Sequence, residues 1–106
     1  VESGGRLLFI AGQIAWDKNQ KLVGKGSMGD QFIQALDNIL VVVEEVGGRP
    51  EEIVRMTVYV TDKKAYLQAT REIGAAWRQR LGKHYPAMAL LEEHAMVEIE
   101  ATAVIG

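Results

Sequence analysis

The residues best suited to chemistry are two glutamates near the end of the chain, in the run Val97-Glu98-Ile99-Glu100-Ala101. Side chains on a strand alternate with period two, so Glu98 and Glu100 share one face while Val97, Ile99, Ala101 and Ala103 line the other. Two carboxylates on an otherwise apolar strand are costly to bury unless something pairs with them or water reaches them. The segment just upstream, Tyr85-Pro86-Ala87-Met88-Ala89, offers Met88 where a cation would be the natural partner. Glu98 is therefore the leading candidate to hold a water or a ligand's amino group, and a paired structural carboxylate is the alternative reading.

Other reactive groups are few. With no cysteine in the chain, disulfides, thiolate nucleophiles and Cys-ligated zinc are excluded. Ser3 lies near the start and Ser27 is placed to cap a helix. His84 and His94 fall at loop-like positions, expected to be exposed and without metal-ligand spacing, so neither a Ser-His-Asp arrangement nor a metal site is expected. Gly24-Lys25-Gly26-Ser27-Met28-Gly29 lacks Walker spacing and reads as a flexible loop. Trp16 and Trp77 read as packing residues, since no basic side chains interleave with aromatics around them.

The elements that must position Glu98 follow from periodicity. Leu7-Leu8-Phe9-Ile10 reads as a buried strand, and Gly12 marks a bulge or a close approach to its backbone. Asp17-Lys18-Asn19-Gln20 is turn-like and Leu22-Val23 a short return strand. From Met28 the apolar period becomes helical through Phe32, Leu36, Ile39, Leu40, Val43 and Val46, with Gly47-Gly48 as the stop and Pro50 beyond it. Residues 53–61 alternate, with Val54, Met56, Val58 and Val60 on one face and Arg55, Thr57 and Tyr59 on the other. Thr61 or Asp62 caps a second helix reaching Leu81, its inner stripe Tyr66, Ala69, Ile73, Ala76, Trp77 and Leu81, closed by Gly82. Residues 87–91 and 96–105 complete a ββαβαββ order in one α+β domain, a mixed sheet with two helices on one face. The uncovered face, with Arg55, Thr57, Tyr59, Glu98, Glu100 and Thr102, is too mixed for free solvent and predicts self-association.

The 106 residues suit one domain, and 48% apolar with 25% charged residues is an ordinary globular composition. A net charge of −2 without a basic stripe argues against nucleic acid as a partner. No apolar run approaches a membrane span and no signal peptide opens the chain, so a cytoplasmic protein without membrane association is expected. The chain starts at Val1 without an initiator Met, which suggests a truncated N-terminus.

Several stretches resemble the Rid family, also called YjgF or L-PSP endoribonuclease. They are Leu8-Phe9-Ile10-Ala11-Gly12-Gln13-Ile14, Gln31 through Ala35-Leu36-Asp37-Asn38-Ile39, Val54-Arg55-Met56-Thr57-Val58-Tyr59-Val60-Thr61-Asp62, Tyr85-Pro86-Ala87 and Val97-Glu98-Ile99-Glu100-Ala101. The resemblance implies a chorismate-mutase-like fold and a homotrimer with three clefts between subunits. It implies hydrolysis of reactive imines and enamines to keto acids and ammonia, with no cofactor.

Carried over residue by residue, Glu98 matches the acid that orients or activates water, and Gly12 the backbone lining the cleft. Met88 stands where the family has the arginine that clamps the substrate carboxylate, and methionine makes no such bidentate contact. Ala11 replaces a serine, and Thr70 falls near a polar Asn. The loop between Leu91 and Met96 is several residues shorter than usual. Without the arginine a neutral or cationic, more apolar ligand is expected. The leading expectation is a divergent imine or enamine deaminase-like hydrolase acting on small metabolites. The alternative is a non-catalytic, small-ligand-binding or regulatory trimer, and an endoribonuclease is the least favoured.

Overall fold

The computed structural model describes residues 5–15, 27–60, 62–92 and 97–106. The expected return strand at Leu22-Val23, the turn before it, Gly24, Gly26, Trp16, Ser3, Thr61, His94 and most of the short loop after Leu91 lie outside these residues.

Among the described residues the elements run β1 (Arg6–Gln13), α1 (Met28–Glu45), a 3-10 turn (Pro50–Glu52), β2 (Ile53–Val60), α2 (Lys63–Gln68), α3 (Thr70–Leu81), β3 (Ala87–Glu92) and β4 (Val97–Ile105). The four strands form one mixed sheet in the order β1-β4-β2-β3. β4 runs antiparallel to both β1 and β2, and β3 lies parallel to β2 at the far edge. The α+β class, with helices on one face of a mixed sheet, is as the sequence predicts.

Local chemistry sets the element ends. Ser27 Oγ accepts a hydrogen bond from the Asp30 N–H at 3.2 Å and starts α1. Asp62 accepts from the Lys64 and Ala65 N–H groups at 2.9 and 3.2 Å and starts α2. Gly47 and Gly82 take positive φ of 82° and 59° just past α1 and α3, where a Cβ would be strained.

The predicted second helix is two. Ala69 has ψ 3° and its N–H points at several carbonyls of α2 at once. Next to it the Thr70 hydroxyl donates to the Leu67 carbonyl at 2.8 Å. A side-chain bond that competes for a backbone acceptor is a recognised cause of such breaks.

The core lies between the sheet and the helices. Phe32, Leu36, Ile39 and Val43 of α1 and Ile73, Trp77 and Leu81 of α3 pack on Met56, Val58, Val60, Val97, Ile99 and Ala103. Arg80 of α3 grips Asp37 of α1 with two hydrogen bonds, Nη2 to Oδ2 at 3.1 Å, which fixes the two helices side by side.

Three expectations about facing need correction. Val46 is not on the inner stripe: it is the C-cap residue of α1 and is exposed. Of the run expected to be a buried strand, only Ile10 is buried, while Leu7 and Phe9 are 60% and 73% exposed. β1 is an edge strand with one face uncovered, so every second side chain of its apolar run turns away from the helices. In β2, Ile53 is buried and Val54 is exposed. The register advances from Ile53 opposite Ala103 to Arg55 opposite Thr102. That is a bulge, in which two residues of one strand oppose one of the other and the alternation shifts by one. Ile53→Ala should therefore cost about 2–5 kcal/mol in urea unfolding, and Val54→Ala within about 0.5 kcal/mol. Equal costs would refute the bulged register.

Candidate functional site

Glu98 sits half-buried on the uncovered sheet face, opposite Tyr59 in register. The Tyr59 hydroxyl reaches diagonally to donate to Glu100 Oε1 at 3.1 Å, so Glu100 carries a structural hydrogen bond. At the end of β1 the pairing jumps from Ile10 opposite Ala101 to Gln13 opposite Ile99, which is the bulge that Gly12 suggests. The Glu98 carboxylate lies directly against Gly12: a Cβ built there would overlap Oε2, and it would stand 2.7 Å from the carboxyl carbon. A glycine is thus required for the carboxylate to occupy this position. The strand end is held from behind, because Asn38 of α1 donates to the Ile14 carbonyl at 2.8 Å and receives the Gln34 amide at 3.0 Å.

Ala11 is exposed beside this point and lines a depression of about 320 Å³ on the same face, with Phe9, Arg55, Thr57, Glu100 and Thr102. Arg55 lies opposite Thr102 in register and makes no ion pair among the described residues.

Met88 is elsewhere. It pairs with Met56, which faces the core, and so points to the helix side of the sheet from the β3 edge. Two strand spacings across and three residues along separate it from Glu98, roughly 14 Å between backbones, with the side chains on opposite faces. Within one chain these two residues cannot hold the same small ligand.

Met88 and Thr70 do meet, in a groove of about 290 Å³ between α3 and β3. Phe32, Tyr66, Trp77 and Tyr85 supply aromatic walls, and among the described residues Arg78 is the one charged side chain lining it. Trp77 and Tyr85 stack with centroids 6.2 Å apart and planes 1° from parallel. The Trp77 indole is fixed by its bond to the His84 carbonyl at 3.0 Å, and His84 Nε2 is 2.7 Å from the Ile53 carbonyl oxygen. His84 is thus a half-buried anchor, not the exposed loop residue expected. Burial raises the Tyr66 phenol above its ordinary value, so it lines the groove as a neutral group. Gly74 occupies a helix-interior position, which costs about 1 kcal/mol relative to alanine. A Cβ there would stand 3.4 Å from Arg78 Nη1, an ordinary contact, which places the guanidinium back along α3.

Arg78 did not emerge from sequence reasoning. The signal was present: Thr70, Gly74 and Arg78 recur every four residues and so form one stripe of a helix.

The molecule is thus a small α+β domain with a one-sided sheet, an acid held against a glycine bulge, and a separate aromatic groove at the opposite edge. It belongs to the Rid, or YjgF, family: the family model described as Endoribonuclease L-PSP matches residues 1–105. A RutC family protein of Pyrococcus horikoshii is 31% identical, over 93% of this chain and 79% of that protein. The human 2-iminobutanoate/2-iminopropanoate deaminase is 26% identical, over 95% of this chain and 74% of the human protein. Among solved structures, the Rid family protein YyfB of Yersinia pestis, of unknown function, superposes with a TM-score of 0.81 at 32% identity. It covers 99% of this chain and 83% of its own.

Proposed function

We propose that the protein is a homotrimer that hydrolyses small imines in clefts between subunits. In each cleft, Glu98 and Gly12 of one copy face the groove of Met88 and Thr70 on the next. The observation that carries this reading is the separation of the two groups of site residues onto opposite faces and edges of one sheet. A ring of copies in which the uncovered face beside the β1 edge of each meets the groove at the β3 edge of the next would unite them, and such head-to-tail contacts close into rings. The uncovered face supports it too, since Leu7, Phe9 and Val104 expose apolar surface on the same face as Glu98 and Glu100.

The chemistry needs little machinery. Water adds to the C=N carbon as Glu98 takes one of its protons, and a proton passes to nitrogen. The carbinolamine then expels ammonia and leaves the ketone, consuming one water for each ammonia formed. Glu98 is suited to the proton transfer because it is partly buried yet open to water at the seam. The test is an assay with 2-iminopropanoate or 2-iminobutanoate generated in situ, following the semicarbazone formed from unhydrolysed imine. Acceleration of keto-acid release over the spontaneous rate is expected, and none under any trimeric condition would sink the hydrolase.

Met88 favours a second reading, a trimer that binds small ligands without turnover, because the residue expected to clamp a substrate is apolar. A thermal-shift screen followed by turnover assays separates the two: a hit that is bound and never consumed supports the binding protein. RNA cleavage surviving extensive purification and lost in Glu98→Gln would point instead to a ribonuclease.

A further inference from the structure

We infer that Arg78 supplies the anion-binding group of the Met88 groove, and that this groove selects carboxylates carrying an aromatic or bulky apolar body. The inference rests on the proposed cleft as the place where ligand is held, and adds the class of ligand.

Arg78 is exposed, and among the described residues it has no ion pair and is the one charged residue lining the groove. Among the described residues no aspartate or glutamate lines the groove to neutralise it. The Glu72 carboxylate, on the same helix, is turned away against Gly29 at the start of α1. The guanidinium lies back along α3, its Nη1 3.4 Å from where a Gly74 Cβ would stand, and it is the donor for a carboxylate held there, since the Thr70 hydroxyl on the same stripe already donates to the Leu67 carbonyl. Below that point the walls are Trp77 stacked on Tyr85, Phe32 tilted at 58° to Tyr66 with centroids 5.9 Å apart, and the Met88 thioether.

Such a surface rewards a flat or branched hydrocarbon body. A small aliphatic acid would reach the cation and leave the aromatic walls unused. The expectation of a neutral or cationic ligand, which followed from Met88 alone, is thereby reversed: the cation comes from the helix instead of the strand.

The test is calorimetric titration of the intact protein with 3-phenylpropanoate, its neutral isostere 3-phenylpropanamide, and propanoate. The aromatic acid should bind at least about tenfold more tightly than either comparator. Arg78→Gln should remove the preference for acid over amide while leaving amide binding within twofold, and Arg78→Lys should restore part of it. Circular dichroism of each variant checks that the fold is kept, which the exposure of Arg78 favours. Equal affinity for acid and amide, an undiminished preference in Arg78→Gln, or no heat with any probe at millimolar concentration would overturn the inference. Imine turnover, measured separately in Glu98→Gln, distinguishes the two readings. Turnover unaffected by Glu98→Gln removes the proposed role of Glu98 and leaves the Arg78 result standing, whereas equal affinity for acid and amide overturns the Arg78 inference and leaves the hydrolase untouched.

Discussion

Glu98→Gln is expected to lower kcat/KM for 2-iminopropanoate hydrolysis by at least about 100-fold, the low end of what a positioned acid–base group contributes, with little change in thermal stability. Glutamine preserves the shape of the side chain and its contact with Gly12, so packing is nearly unaltered and only the capacity to take a proton is lost. Gly12→Ala approaches the same end from the backbone. Its methyl would collide with the carboxylate and turn Glu98 out of position, so turnover should fall while the Glu98 carboxylate remains chemically intact. The pair separates position from basicity. If Glu98→Gln retains more than about a tenth of the activity, some other group moves the proton and the site must be sought elsewhere on the uncovered face, with Glu100 and Tyr59, which lies opposite Glu98, the nearest choices.

How far this site could be read from residues alone is uneven, for physical reasons. The facing of Glu98 was legible because β4 keeps strict alternation over its whole length, Val97 to Ile105 being buried at every second position. Helix starts were legible because Ser27 and Asp62 each accept from first-turn N–H groups that have no partner within the helix. The β2 bulge was not, because Ile53 and Val54 are equally apolar and a one-residue shift leaves the pattern looking regular. The break at Ala69 was hidden for a similar reason: the apolar stripe continues through it, and the competing bond from Thr70 is a matter of rotamer. Whether Leu7 and Phe9 point into a core or away from one depends on β1 being at an edge, which is a property of strand order and not of local sequence. The Arg78 groove combines residues from α1, α2, α3 and the segment leading into β3, so no single stretch announces it.

Phe9→Asp is expected to convert the protein from a particle of about three times the 11.7 kDa chain to a single chain in light scattering at micromolar concentration. Phe9 is 73% exposed in the isolated chain, and it lines the depression on the uncovered face with Arg55, Thr57 and Glu100. Its burial between copies would contribute about 1.5–3 kcal/mol at each of the three positions. Aspartate forfeits that and adds a carboxylate to a face already holding Glu98 and Glu100, where desolvation without a partner is costly and like charges repel. Because Phe9 contributes so little to the chain's own core, the far-ultraviolet circular dichroism of the variant should match that of the parent. Imine hydrolysis should nevertheless disappear, although Glu98, Gly12, Met88 and Thr70 are all untouched, because a single chain keeps the acid and the groove roughly 14 Å apart on opposite faces. Mixing Phe9→Asp with Glu98→Gln subunits should not rescue activity, since the aspartate blocks assembly from whichever copy carries it. A monomeric Phe9→Asp that still turns over imine would place the whole reaction within one chain and end the case for a shared cleft.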